Sequence, residues 1–303
     1  MINFILIALF LSLGALAKSR NWLPLGTSEK LNQFVIFICL PAIVLVKIPQ
    51  LAIDSQLLLP TLLPWAMVAT ACITVVIASK FFNWSRSITG CLLMVCCFGN
   101  TSFFGFPMVR AFWGEAGLPY AVVYDVLGSF LSLAVVGNLI LAIYSGGQAF
   151  SFSATIKRVV TFPPFIAILL ALAIKGWTYP SWLEQSLIFV GHMLVPSTMF
   201  LVGMHLSFRV AQRIIKPLQL VLVVKLVALP LIAFSSVQFI FSVSVDETLI
   251  RQVSIFEAAM PPMVTASVMA IHAKLEPELA AASVGIGLFV SCLTLPVWFF
   301  VLS

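Results

Sequence analysis

The sequence predicts an all-α polytopic membrane protein, and three observations carry that reading. First, 62% of the 303 residues are hydrophobic and 9% are charged, with a mean hydropathy of +1.15. A soluble domain carries about 25% charged residues, so there is too little charge here to cover a water-facing surface. Second, apolar runs of bilayer-spanning length, about 20 residues, recur along the chain. Third, no polar linker or shift in composition divides it, which favours one integral membrane unit over two soluble domains.

Ten spans are expected, near 2–18, 31–49, 57–79, 87–111, 117–144, 160–176, 184–206, 216–241, 249–272 and 278–301. The first is read as a retained helix. Gly14-Ala15-Leu16-Ala17 resembles a cleavage site, but Lys18 and Arg20 follow the apolar stretch, whereas a signal peptide has its basic residues before it. Charged or turn-forming residues separate the later spans: Pro49-Gln50, Asn83-Trp84-Ser85-Arg86, Gly114-Glu115, Ser145-Gly146-Gly147 and Asp246-Glu247. An even number of spans leaves both termini on one side.

Placing the termini outside puts eleven basic residues in the cytoplasmic segments: Lys18, Arg20, Lys30, Lys80, Arg86, Lys157, Arg158, Arg209, Arg213, Lys216 and Lys274. Four fall outside (Lys47, Arg110, Lys175, Arg251), and Lys225 lies within a span. The positive-inside rule therefore favours external termini. The same scatter argues against nucleic acid as the partner of the +6 net charge, because a phosphate-tracking protein clusters its basic residues. The six cysteines lie in apolar stretches without metal spacing and read as small buried hydrophobes. His192, His205 and His272 are too dispersed to form a ligand set, and no nucleophile–base constellation points to an enzyme. No metal or cofactor is expected.

An offset of 161 residues places Glu115 on Glu276 and Leu118 on Leu279, and an offset of 155 places Leu40-Pro41 on Val195-Pro196. Each half then holds five spans, an odd number, so the halves enter the membrane from opposite sides. This predicts an inverted-topology repeat, with repeat one at 1–144, a short cytoplasmic linker at 145–159 and repeat two at 160–303.

The fourth and ninth spans are expected to be broken. The fourth contains Gly99-Asn100-Thr101-Ser102 and Gly105-Phe106-Pro107; the ninth contains Glu257-Ala258-Ala259-Met260-Pro261-Pro262. Proline removes a backbone donor and glycine loosens a helix. Such backbone is tolerated at membrane depth where it is packed in protein or lines a wet cavity, and half-helix N-termini there favour anions. Gly99, Asn100, Thr101, Ser102, Met260, Pro261 and Pro262 are the candidate substrate-binding residues. Asn100, Thr101 and Ser102 could also cap the half-helix that follows, and both roles can hold at once. Two intramembrane acids, Glu257 and Asp125, are candidates for proton or sodium coupling, since buried carboxylates in a bilayer are costly. Lys225 either snorkels or neutralises a buried acid.

At these breaks, and at Phe112-Trp113-Gly114-Glu115, Leu293-Thr294-Leu295-Pro296 and Leu40-Pro41, the chain resembles a bacterial member of the auxin efflux carrier family. That family includes the plant PIN auxin transporters and prokaryotic permeases for small organic acids. The resemblance implies ten helices in two inverted repeats whose fourth and ninth members cross, as in bile-acid and sodium/proton antiporter architectures. It also implies elevator-type alternating access over a scaffold of helices one, two, six and seven, with Asn100 contacting an anionic substrate. Gly99 stands where the family has Pro, Pro262 has no amide beside it, and the long loop of many plant members is absent. These departures favour a small carboxylate over auxin. The expectation is a multi-pass protein of the bacterial inner (cell) membrane, with lipid and a small organic anion as partners and a homodimer left open. A sodium-coupled bile-acid-type symporter and a non-transporting ligand sensor are the alternatives.

Overall fold

The structure, a computed structural model, describes residues 2–24, 26–51, 54–146, 151–206, 210–240 and 248–303. Gly147, Arg209, Asp246 and Glu247, used above as topology markers, lie outside the described residues. Every regular element among the described residues is helical. In chain order these are α1 Ile2–Ser19, α2 Thr27–Gln50, α3 Leu58–Phe81, α4 Arg86–Cys97, α5 Phe106–Trp113, α6 Leu118–Tyr144 and α7 Phe152–Val160. There follow α8 Pro163–Ala173, α9 Ser181–His205, α10 Gln212–Phe239, α11 Thr248–Ala258, α12 Val264–His272 and α13 Pro277–Leu302.

Six of these helices (α2, α3, α6, α9, α10, α13) are long and apolar enough to cross a bilayer, and α7 with α8 makes a seventh candidate bent by 56°. The protein is a polytopic membrane protein. The expected fourth span is interrupted between α4 and α5, and the expected ninth between α11 and α12. The stretch expected to be a plain linker, 145–159, instead holds most of α7. Ser151 starts this helix, its Oγ accepting from the Ala154 N–H at 3.2 Å. Phe152, Ile156 and Val160 recur every four residues along one exposed face. Pro163-Pro164 then opens α8, where a missing N–H costs nothing.

Prolines also explain π-helical widenings inside longer helices. A proline frees the carbonyl four residues earlier, and π turns at Val35–Cys39, Thr101–Gly105 and Val224–Ala228 precede Pro41, Pro107 and Pro230. The Leu226 carbonyl freed by Pro230 accepts from the Trp298 indole N–H at 3.1 Å. In α6, the Leu127 carbonyl inside the π stretch Tyr124–Phe130 accepts from the Trp65 indole at 3.2 Å. Indoles thus bind backbone that lipid would leave unsatisfied.

Two packing groups follow. In one, α1 lies along the second half of α9, and α2 packs on α8 and the first half of α9. Gly14 and Gly203 let α1 and α9 meet backbone to backbone, since a Cβ at either would overlap the other helix's carbonyl. In the other, α3 packs on α4 and α6, α10 on α13, and α12 on α13 and α4. The interrupted helices lie in this second group. The Thr101–Gly105 turn meets the second half of α9 in the first group.

Candidate functional site

The two interruptions meet. Gly99 and Pro262 form an antiparallel bridge, flanked by Asn100 N–H donating to Pro261 O at 2.8 Å and Met263 N–H donating to Phe98 O at 3.0 Å. The bonds come from the neighbours, so Pro262 occupies the position of an antiparallel pair that needs no N–H. Its ring has room because Gly287 of α13 faces it; a Cβ there would stand 2.7 Å from Pro262 Cδ. The two buried unwound segments therefore satisfy much of each other's backbone.

Asn100 bends the chain in an inverse γ-turn (φ −81°, ψ 64°), with Thr101 N–H donating to Gly99 O at 2.9 Å. Its carbonyl accepts from Phe104 and Gly105 N–H at 3.3 and 2.9 Å, so its backbone starts the next half-helix. Its side chain makes no cap bond. Asn100 is 2% exposed, and its Nδ2 is buried without a hydrogen-bond partner.

The Thr101 and Ser102 side chains make no capping bond to the half-helix that follows and instead reach a carboxylate. Both hydroxyls donate to Asp125 Oδ1 at 2.5 Å, tying the first break to α6. Glu257 is fully buried, and neither carboxylate oxygen has a hydrogen-bond partner. It lies against Gly105, where a Cβ would run into both oxygens. A desolvated carboxylate without donors is costly unless it holds a proton or a cation.

Lys225, left open by the sequence, belongs to this cluster. It is 3% exposed, and a Cβ built on Gly99 would stand 3.1 Å from its Nζ. It lines the same small space as Glu257. This gives a physical reason for glycine at position 99: a larger residue would press on the ammonium. Gly99, Thr101, Lys225 and Glu257 line a space of about 10 Å³, room for about one water. Met260 is buried with them. No sequence signal showed which way Lys225 points inside α10.

At one end of the molecule Glu115 accepts from Lys47 at 2.8 Å and from Arg110 at 2.6 Å. Burial alone would push the Glu115 carboxyl up, but the Lys47 bond and the Arg110 charge outweigh it and hold it below the usual carboxylate range.

A helical membrane protein with two broken helices paired at a buried polar centre is the class this geometry defines. The family described as "Membrane transport protein" matches residues 1–299. The chain belongs to that family, the auxin efflux carriers of the sequence resemblance. It is 27% identical over 299 residues to a protein of Methanothermobacter thermautotrophicus described as an uncharacterized transporter, covering 96% of this chain and 94% of the relative. A second uncharacterized transporter, from Methanocaldococcus jannaschii, is 25% identical over 315 residues, with 99% and 98% covered. The protein is a membrane transporter of this family.

Proposed function

We propose that the protein is a secondary transporter of a small organic anion, a carboxylate, working by elevator-type alternating access at the crossing of its fourth and ninth spans. The observation that carries this reading is the antiparallel pairing of the two unwound segments beside a buried amide and a buried ammonium. Asn100 Nδ2 offers donors to a carboxylate and Lys225 a counter-charge. Asn100 is 2% exposed, so the anion reaches it only when the site opens, as alternating access requires. Glu257, and secondarily Asp125, is the coupling carboxylate, loaded with a proton or sodium.

On this reading the chain makes ten crossings in two inverted repeats, 1–144 and 160–303. Corresponding bonds support the symmetry. Trp65 joins the third span to the fifth, and Trp298 joins the tenth to the eighth. Helices α1, α2, α8 and α9 form the scaffold, and the other packing group moves.

The experiment is uptake of small radiolabelled mono- and dicarboxylates into proteoliposomes, with and without sodium and proton gradients. Asn100→Ala should weaken the apparent affinity at least about tenfold, the scale of a lost charge-assisted hydrogen bond, while folded yield is kept. Wild-type affinity in that variant would sink the site, and bound carboxylate with no flux would make the protein a sensor.

A further inference from the structure

A second cavity, of about 850 Å³, lies away from the crossing. It is bounded by α6, α7 and α12 on the face that the charge count assigns to the cytoplasm. Its size falls in the range of small-molecule sites. Among the described residues three basic side chains line it, Arg158, His272 and Lys274, and no acidic one does. Such a cavity carries a positive field focused by low-dielectric walls.

We propose that this cavity is an anion-capture site in which Arg158 holds the carboxylate of a small organic anion before it reaches the crossing. Four observations converge. Arg158 sits on α7, the short helix between the two halves, and its guanidinium donates to a neutral partner, Asn138 Oδ1, at 3.0 Å. No carboxylate lies within ion-pair distance of it among the described residues, so its charge and most of its five donors are available. Part of the wall is apolar, with Phe130, Leu133 and Met269; Phe130 is held by stacking on Phe162, ring centroids 3.4 Å apart. A carboxylate on Arg158 would lay an apolar body on that wall. Finally, the cavity runs from Lys274 to Thr265, the second residue of α12, three residues after Pro262 of the crossing. Its lining thus reaches the half-helix that leaves the second break. The proposal rests on the anion-transport reading and adds to it the place and the residue of first binding.

The test is independent of flux and uses thiol labelling in the full chain. Met269→Cys, placed in a Cys292→Ser background, reports the cavity to methanethiosulfonate reagents of opposite charge. In phosphatidylcholine vesicles the anionic reagent should react faster than the cationic one, relative to their rates with a free thiol. Arg158→Gln should cut that preference about fivefold, a part of the roughly 10–1,000-fold that a whole focusing cleft supplies, and Arg158→Lys should keep most of it. Benzoate should slow labelling in the parent and not in Arg158→Gln. Equal rates for both reagents, or no protection by benzoate, would overturn the proposal. Protection by phosphatidylglycerol in place of benzoate would make the cavity a lipid site and overturn it as well. None of these failures touches the crossing, which stands or falls on Asn100→Ala.

Discussion

At the scale of single residues, the crossing is organised by what is missing from side chains as much as by what is present. Gly105 is buried against Glu257, and a methyl group there would occupy the space of the carboxylate. Alanine is otherwise the better helix residue by up to about 1 kcal/mol, so a loss on Gly105→Ala isolates the collision. We expect destabilisation of about 1–3 kcal/mol, the usual cost of overpacking, read as a lower melting temperature, with partial recovery when Glu257→Ala is added. Recovery to no extent would mean that the two residues are not in conflict. Glu257→Gln should flatten the pH dependence of transport, and an unchanged profile would remove Glu257 from coupling. The breaks were legible in sequence because proline and glycine announce themselves. The Thr101 and Ser102 bonds to Asp125, and the approach of Lys225 to Gly99, were not, since both depend on the rotation of one helix against another.

At the scale of elements, the π turns are the least expected feature. Their cause, a proline two residues after each of three such turns, was in plain view, but local sequence does not say whether a freed carbonyl kinks a helix or widens it. Packing decides at Pro230, where an indole from a neighbouring helix takes the freed oxygen and the helix stays continuous. Trp298→Phe should therefore leave Leu226 O without a donor. The expected cost is about 1 kcal/mol, between the soluble and membrane values for such bonds. Because Leu226 adjoins Lys225, the variant should also raise the KM for substrate; a melt and a KM both unchanged would argue that the bond is idle. Helix α7 escaped notice because nine residues are too few for a span, and its apolar face reads as amphipathic only once its start at Ser151 is known.

At the scale of the whole molecule, the two packing groups are linked by few charges, and the Lys47–Glu115–Arg110 cluster is one such link, joining α2 to α5. Glu115→Gln should loosen it. The carboxyl lies below its ordinary range in the folded protein. The contribution is therefore full above the unfolded value, about 4.3, and is lost as the pH falls through the depressed one. Glu115 is nearly half exposed, so the effect should be about 0–1 kcal/mol. It should stay steady from about pH 8 to pH 5 and fade below about pH 4. Melting curves of both proteins across that range check it, and a difference that grows on acidification would contradict it. Helix type and order were largely readable from hydropathy; the grouping of helices was not, because every face of a membrane helix is apolar. The contact of α1 with α9 adds a constraint in time. Lys18 Nζ donates to Leu206 O, 188 positions further along the chain. At about 5–20 residues per second of synthesis, roughly ten to forty seconds pass after the first helix is made before its partner exists. For that interval its bare Gly14 groove is open to any other small-residue helix nearby, and correct assembly depends on nothing occupying it first.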